Sequence, residues 1–214
     1  MRKLLILLSL ACLPLAAQER ANNVVLFLAD AGGTSALHAA SILGHGDTRK
    51  LYVQNMPHIG LSDTTSASSW VSDSAAGMTA IMTGERTNNG VVAQSDTAVR
   101  REKDGETLKT FLEYAEEHGL ATGVVTDRNV TDATPASCYA HSNDRSASSH
   151  IFQQLFKPGY GDGVDVLIGG GKSSISAFHN CKPFDLRPKP CCVGSFGDSA
   201  IPNGRVGRKN TRNQ

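Results

Sequence analysis

Leu108-Lys109-Thr110-Phe111-Leu112-Glu113-Tyr114-Ala115-Glu116-Glu117-His118-Gly119, followed closely by Gly123-Val124-Val125-Thr126, is the stretch that decides the fold class. Leu108, Phe111, Leu112 and Ala115 fall at i, i+3, i+4 and i+7, the spacing of one apolar helix face. Gly119 is a C-terminal stop, so the pattern predicts a helix between Asp104 and Gly119. The period then changes, and Gly123–Thr126 reads as a strand. The same alternation recurs downstream. A helical stretch at Ser148–Leu155 precedes the strand Val164-Asp165-Val166-Leu167-Ile168. Upstream, Asn23-Val24-Val25-Leu26-Phe27-Leu28-Ala29 is a continuous apolar run, the pattern of a central parallel strand buried on both faces. Gly32-Gly33 turn the chain, and Ser35–Leu43 reads as the helix that follows. Strands alternating with helices predict an α/β fold, with a mainly parallel central sheet flanked by helices. Chemistry in such sheets gathers at the carboxyl ends of strands, where Asp30 would sit.

The 214 residues suit one domain of ordinary size, and a hydrophobic content of 40% is enough for most of it to fold. A net charge of +1 and 6% aromatics give no support to nucleic-acid binding. Charge is unevenly spread. Ser173–Gln214 holds seven Lys/Arg against two Asp, so the preceding body is acidic. At the other end Arg2 and Lys3 precede the apolar Leu4–Ala11, and small residues follow at Ala16-Ala17. This is the layout of a signal peptide over 1–17, and it predicts export to a periplasmic or extracellular space. The apolar run is broken by Pro14 and falls short of the ~20 residues that span a bilayer, so no stable membrane span is expected. Cys12 offers a lipoprotein cleavage site as the alternative, although Ser9 stands where Leu is usual. Among Cys138, Cys181, Cys191 and Cys192 there is no zinc-type C-x-x-C spacing.

The segment with most chemical content is Val71-Ser72-Asp73-Ser74-Ala75-Ala76-Gly77-Met78-Thr79-Ala80. Asp73 or Ser72 would cap a slim helix of small residues. Ser74 would then lie in the first turn, where free N–H groups and the helix dipole favour an anion. A serine there can equally be only part of a cap. The α/β-hydrolase elbow G-x-S-x-G is absent, because Ser72 and Ala76 occupy the glycine positions. Gly169-Gly170-Gly171-Lys172-Ser173 is not a P-loop, since Val166 stands where its first glycine belongs. Asn129-Val130-Thr131 is a glycosylation sequon with no further support.

Taken in order, several segments resemble alkaline phosphatases. They are Asp30-Ala31-Gly32-Gly33, Val71–Thr79, Thr83-Gly84-Glu85-Arg86-Thr87, Lys109-Thr110 through Gly119-Leu120-Ala121-Thr122-Gly123, Thr131-Asp132-Ala133-Thr134-Pro135, His141 with Arg145, and Asp165–Gly171. The resemblance runs from Asn22 to Lys172, the amino-terminal part of that family. It implies that Ser74 is the nucleophile and a zinc ligand, and that Arg145 clamps two phosphoryl oxygens. It further implies that Asp73 orients Arg145, that Asp30 bridges zinc and magnesium, that Thr134 binds magnesium and that Asp132 supports magnesium through water. The implied reaction is hydrolysis of phosphate monoesters through a phosphoserine at a Zn2+/Mg2+ centre. The implied partners are small phosphate monoesters, and the family is commonly homodimeric. A sulfatase is disfavoured, because Ser74 is followed by Ala75-Ala76-Gly77 and not by the P-x-R of that group.

The same resemblance exposes a gap. The family draws further zinc ligands, one Glu, two Asp and three His including an Asp-His pair, from later sequence. Beyond Lys172 this chain offers His179, Asp185 and Asp198 alone. His38, His45, His58, His118, His141 and His150 correspond to other positions of the pattern. Ser173–Gln214 also contains four of the eight prolines, no Glu and neither a helical nor a strand period. The expected organisation is therefore a signal peptide at 1–17, the amino-terminal part of a phosphatase domain at 18–172, and a divergent basic tail at 173–214, disordered or frame-shifted. The expected outcome is an inactive fragment with incomplete metal occupancy. The alternative is an exported, non-catalytic binding or structural module that retains the phosphate-facing surface.

Overall fold

A computed structural model describes residues 21–171 and 192–194. The signal region 1–17 and, apart from 192–194, the chain from Lys172 onward lie outside the described residues. The chain divides into two compact units, Met1–Pro57 and His58–Gln214.

In the first unit, helix α1 spans Thr34–His45 and stops at Gly46, whose φ of 70° no β-branched residue would adopt easily. The buried Ser41 ties the following loop down: its Oγ donates to the Asp47 carbonyl at 2.7 Å and accepts from the Lys50 N–H at 2.9 Å. The expectation at Asn23–Ala29 is corrected here. The run joins no sheet among the described residues, and its side chains are exposed, Val25 at 73% and Phe27 at 90%. Apolar β-branched composition supplies strand propensity, but a strand exists only where a neighbour completes its ladder. A turn closes the run, with Gly32 N–H donating to the Ala29 carbonyl at 2.9 Å.

The second unit contains the sheet. Strand β1 (Gly123–Asn129) pairs in parallel with β2 (Val166–Gly170), with Gly123 opposite Val166 and Val125 opposite Ile168. Strand β3 (Cys192–Gly194) pairs in parallel on the other side of β2, so the order is β1-β2-β3. Three residues of the expected featureless tail thus form a strand. So short a segment leaves no period in sequence, and the exposed edge of β2 defines it. The helices of this unit are α2 (Ser74–Thr83), α3 (Phe111–Glu117), α4 (Ala133–Ala136) and α5 (Ser148–Gln154). Parallel strands need a crossover connection, and α4 and α5 provide it between β1 and β2. The expected α/β fold with a parallel sheet and flanking helices is present.

The core explains the order of elements. Val124 of β1 and Leu167 of β2 lie opposite each other and are buried with Val130, Ile151, Phe152, Leu155 and Val164. The small residues of α2 allow close approach to α4: Ser137 Oγ donates to the Ala133 carbonyl at 2.9 Å and reaches the Ala75 carbonyl at 3.4 Å. Tyr139 is buried, and its hydroxyl donates to the Val130 carbonyl at 2.7 Å.

Helix α3 differs from its sequence reading. It begins at Phe111, after Leu108, and buries Leu112, Glu113 and Glu116 while Phe111 and Tyr114 are exposed. A capping box sets this start: Thr110 Oγ1 accepts from Glu113 N–H at 3.2 Å, and Glu113 Oε2 accepts from Thr110 N–H at 2.9 Å. Gly119 ends the helix as expected, with φ at 70° and its N–H on the Glu116 carbonyl. No helix among the described residues is long and apolar enough to cross a membrane.

Leu167 is fully buried at the centre of the β1–β2 contact. Leu167→Ala is expected to cost about 2–5 kcal/mol, the range for cavity-forming core truncations. Urea unfolding followed by circular dichroism checks this, and a loss under about 1 kcal/mol would contradict the packing.

Candidate active site

The site is built outward from the first turn of α2. Asp73 is the N-cap, and its Oδ1 accepts from the Ala76 N–H at 3.0 Å. Capping uses one carboxylate oxygen. The other, Oδ2, accepts from Arg145 Nη1 at 3.0 Å. One carboxylate therefore fixes both the start of the helix that carries Ser74 and the guanidinium of an arginine 72 residues away. Ser74 occupies the first helical position and is half-buried.

Asn89 and Gly90 hold this arrangement from behind. Asn89 Oδ1 accepts from the Asp73 N–H at 3.2 Å, and Asn89 Nδ2 donates to the Val71 carbonyl at 3.0 Å. Gly90 accepts from the Arg145 N–H at 2.8 Å. Its φ is 85°, a left-handed conformation that favours glycine, and the Arg100 side chain passes over the space a Cβ would take. Burial pushes the Asp73 carboxyl upward, but the Ala76 N–H, Arg145 and the Gly90 N–H outweigh it and hold the pKa below the ordinary carboxylate range.

The loop that carries Arg145 is anchored at both ends. Ser142 and Val92 exchange backbone bonds at 2.8 and 2.9 Å. Asp144 accepts from Arg100 Nε at 3.1 Å and from Arg101 Nε at 2.8 Å. His141 is enclosed: Nε2 is 2.8 Å from Glu113 Oε1, and Nδ1 is 2.8 Å from the Ala93 carbonyl. Burial lowers the His141 pKa, but Glu113 and the Ala93 carbonyl more than offset this and raise it.

The structure thus brings Ser74, Asp73 and Arg145 together. Asp132 is the exposed N-cap residue of α4, and Thr134 is half-buried within it; both belong to the unit that contains Ser74, and α4 packs on α2. Asp30 lies in the other unit. Among the described residues no group of three His, Cys, Asp or Glu could hold a metal ion. Asp30, Ser74, Thr134 and Asp132 are all oxygen donors, and only Asp30 and Ser74 among them are implied for zinc, short of the three or four ligands it takes. These residues as described do not fit a zinc centre.

Sequence reasoning missed Glu113, Asn89, Gly90, Arg100, Arg101 and Asp144. A signal existed for Glu113, because Thr110-x-x-Glu113 is a capping-box pattern. The others support the site through contacts distant in sequence, which spacing does not reveal.

Asp73→Asn retains a good cap and removes the charge that holds Arg145. A loss of about 1–2 kcal/mol is expected at neutral pH. The Asp73 pKa is lowered on folding, so its contribution is present above the unfolded value near 3.9 and lost as pH falls through the folded one. Wild type and variant should therefore converge in acid, and a gap that persists there in urea unfolding would contradict the assignment.

The family model for alkaline phosphatase matches residues 21–184, extending past Lys172 into the basic segment. Alkaline phosphatase 4 of Drosophila melanogaster is 31% identical over 178 residues, which cover 74% of this chain and 30% of that protein. The human tissue-nonspecific alkaline phosphatase is 31% identical over 173 residues, 71% of this chain and 33% of its own. Among solved structures, the alkaline phosphatase of the Antarctic bacterium TAB5 aligns with a TM-score of 0.56 at 29% identity, covering 68% of this chain and 39% of that one. That of Thermus thermophilus aligns with a TM-score of 0.56 at 31% identity, covering 71% and 30%. A TAB5 variant has been solved with Mg bound. The chain spans about a third of the length of these relatives. Over that third, motif order, sequence and fold agree, and the chain belongs to the alkaline phosphatase family.

Proposed function

We propose that this chain carries the nucleophile and the phosphate clamp of a phosphate monoester hydrolase. The observation that supports this most is the Asp73–Arg145 pair at 3.0 Å, set at the first turn of the helix that begins with Ser74. A phosphoryl group seated there would meet the N-terminal turn of α2, the positive end of its dipole, and the planar guanidinium, whose fork matches two phosphoryl oxygens as a lysine could not. Asp73 keeps that fork aimed, and its lowered pKa keeps it charged at neutral pH. The Ser74 hydroxyl would attack phosphorus in line. A bond from Oγ to phosphorus forms, the bond to the alcohol oxygen breaks, and the alcohol departs with the serine proton. Water then cleaves the phosphoserine to release phosphate.

A serine hydroxyl ionises far above neutral pH and needs activation to attack. The family's Zn2+ and Mg2+ would draw on Asp30, Ser74, Thr134 and Asp132 in this chain, but that set is incomplete. We therefore expect the 214-residue chain alone to be without appreciable turnover. A second reading follows from the same geometry. The clamp is held by protein groups, Arg145 against Asp73 at 3.0 Å, which suits an exported module that binds phosphate and does not hydrolyse it. In both readings export rests on the leader at 1–17; in the first the substrate is a small phosphate monoester.

Purified 18–214 with Zn2+ and Mg2+ added is expected to give no p-nitrophenyl phosphate turnover above blank. Inorganic phosphate should still bind in isothermal titration calorimetry, with affinity falling about tenfold to a hundredfold in Arg145→Ala. Turnover abolished by Ser74→Ala would overturn the inactivity. Phosphate binding indifferent to Arg145 would overturn the clamp.

A further inference from the structure

His141 stands four residues before Arg145, and both of its ring nitrogens face groups that accept. Nδ1 is 2.8 Å from the Ala93 carbonyl, which can only accept, so Nδ1 carries a proton. Nε2 is 2.8 Å from Glu113 Oε1. A neutral ring would then set an Nε2 lone pair against a carboxylate oxygen. Either the ring is doubly protonated or Glu113 holds the proton. Two observations favour the carboxylate: Glu113 Oε2 already accepts from the Thr110 N–H at 2.9 Å, and Glu113 lies in the first turn of α3, where the helix dipole favours negative charge. The side chains are 13% and 7% exposed, so each charge depends on the other for compensation.

The surroundings leave the pair undisturbed. Gln154 on α5 faces His141 with a neutral amide, its Oε1 accepting the His141 N–H and its Nε2 donating to the His141 carbonyl, each at 2.9 Å. On the adjoining segment Gln94 is engaged with Asp104. On the same loop Asp144 is matched by Arg100 and Arg101, and Arg145 by Asp73. Burial raises the thiol of Cys138 and the phenol of Tyr139, so both stay neutral. Glu116, one turn along α3, accepts a hydrogen bond from Thr122 and is also raised by burial.

We propose that His141 is a positioning residue for Arg145, acting as a buried imidazolium with Glu113 as its counter-ion. The proposal rests on the reading of Arg145 as the phosphate clamp. Its route runs along paired backbone. The ring bond to Ala93, the exchange between Ser142 and Val92, and the Arg145 N–H on the Gly90 carbonyl form three successive ties between segments 90–93 and 141–145. Gly90 also supports Asp73, the partner of Arg145. An absent ring removes the first tie, and a neutral ring, whose Nε2 lone pair is repelled by Glu113 Oε1, is turned off it, which loosens the register that holds Gly90 beneath the clamp.

The test is nuclear magnetic resonance on the full chain with 15N-labelled histidine and arginine. At neutral pH both ring nitrogens of His141 should be protonated and should remain so above the ordinary histidine range near 6.5. When the ring finally deprotonates, the Arg145 Nε–H signal should be lost while the amides of Val124 and Leu167 stay protected. His141→Gln should lose the same signal with the sheet intact, and Glu113→Gln should leave the ring neutral. A neutral ring in the wild type at neutral pH, or an Arg145 signal indifferent to the ring's charge, overturns the proposal. The wild-type titration decides the matter even where a variant fails to fold. Inorganic phosphate added to the same sample separates the two readings: an Arg145 signal that follows His141 but ignores phosphate keeps the positioning and removes the clamp.

Discussion

Asp73 has two carboxylate oxygens, and each is committed to a different part of the chain. One completes the N-terminus of α2, and the other receives Arg145. A helix that begins with small residues has little side-chain packing to fix its start, so the cap does that work. The arginine comes from a loop 72 residues downstream, reached through β1, α4 and the crossover. The parallel sheet, the close α2–α4 contact and the paired segments at 90–93 and 141–145 serve to bring that loop to this carboxylate. Had Asp73 been a serine, the helix would still be capped and the arginine would be left without its counter-charge.

The pattern of buried charge shows how the second unit meets desolvation. Asp73 and Arg145 are about a quarter exposed, and their contact is strengthened by backbone N–H groups around the carboxylate. Glu113 and His141 are more deeply buried and have every described polar atom engaged, which is the condition under which a buried pair is tolerated. The two pairs lie at opposite ends of the short loop from 141 to 145. The loop therefore has few ways to move without exposing or orphaning a charge.

Much of this arrangement was legible in the sequence. Gly123–Thr126 and Val164–Ile168 are short apolar runs, and both overlap strands of the parallel sheet. Gly119 is a stop because a positive φ suits glycine. Asp73 and Ser74 were readable as a helix start, since capping is a local property. Asn23–Ala29 is more apolar than β1 and forms no strand, because a ladder partner is not encoded in the run itself. The stripe assigned to α3 holds at Leu112 but fails at Phe111 for a related reason. Counting apolar residues places Phe111 inside and Glu113 outside, but a carboxylate with a cap and a histidine to satisfy is better buried than exposed. The pairing of Asp73 with Arg145 came from family resemblance, as no periodicity connects residues so far apart.

Cys138 carries a consequence of its own. Its thiol is buried beneath α4, and desolvation pushes its pKa up to about 12. At neutral pH that leaves a thiolate fraction on the order of one in a hundred thousand, so disulfide exchange at this sulfur is slow in the folded state even where the surroundings are oxidising. The residue becomes reactive when the buried cluster to which it belongs opens. Alkylation of Cys138 is thus a clock for the opening of this core, built into the chain without any engineered probe.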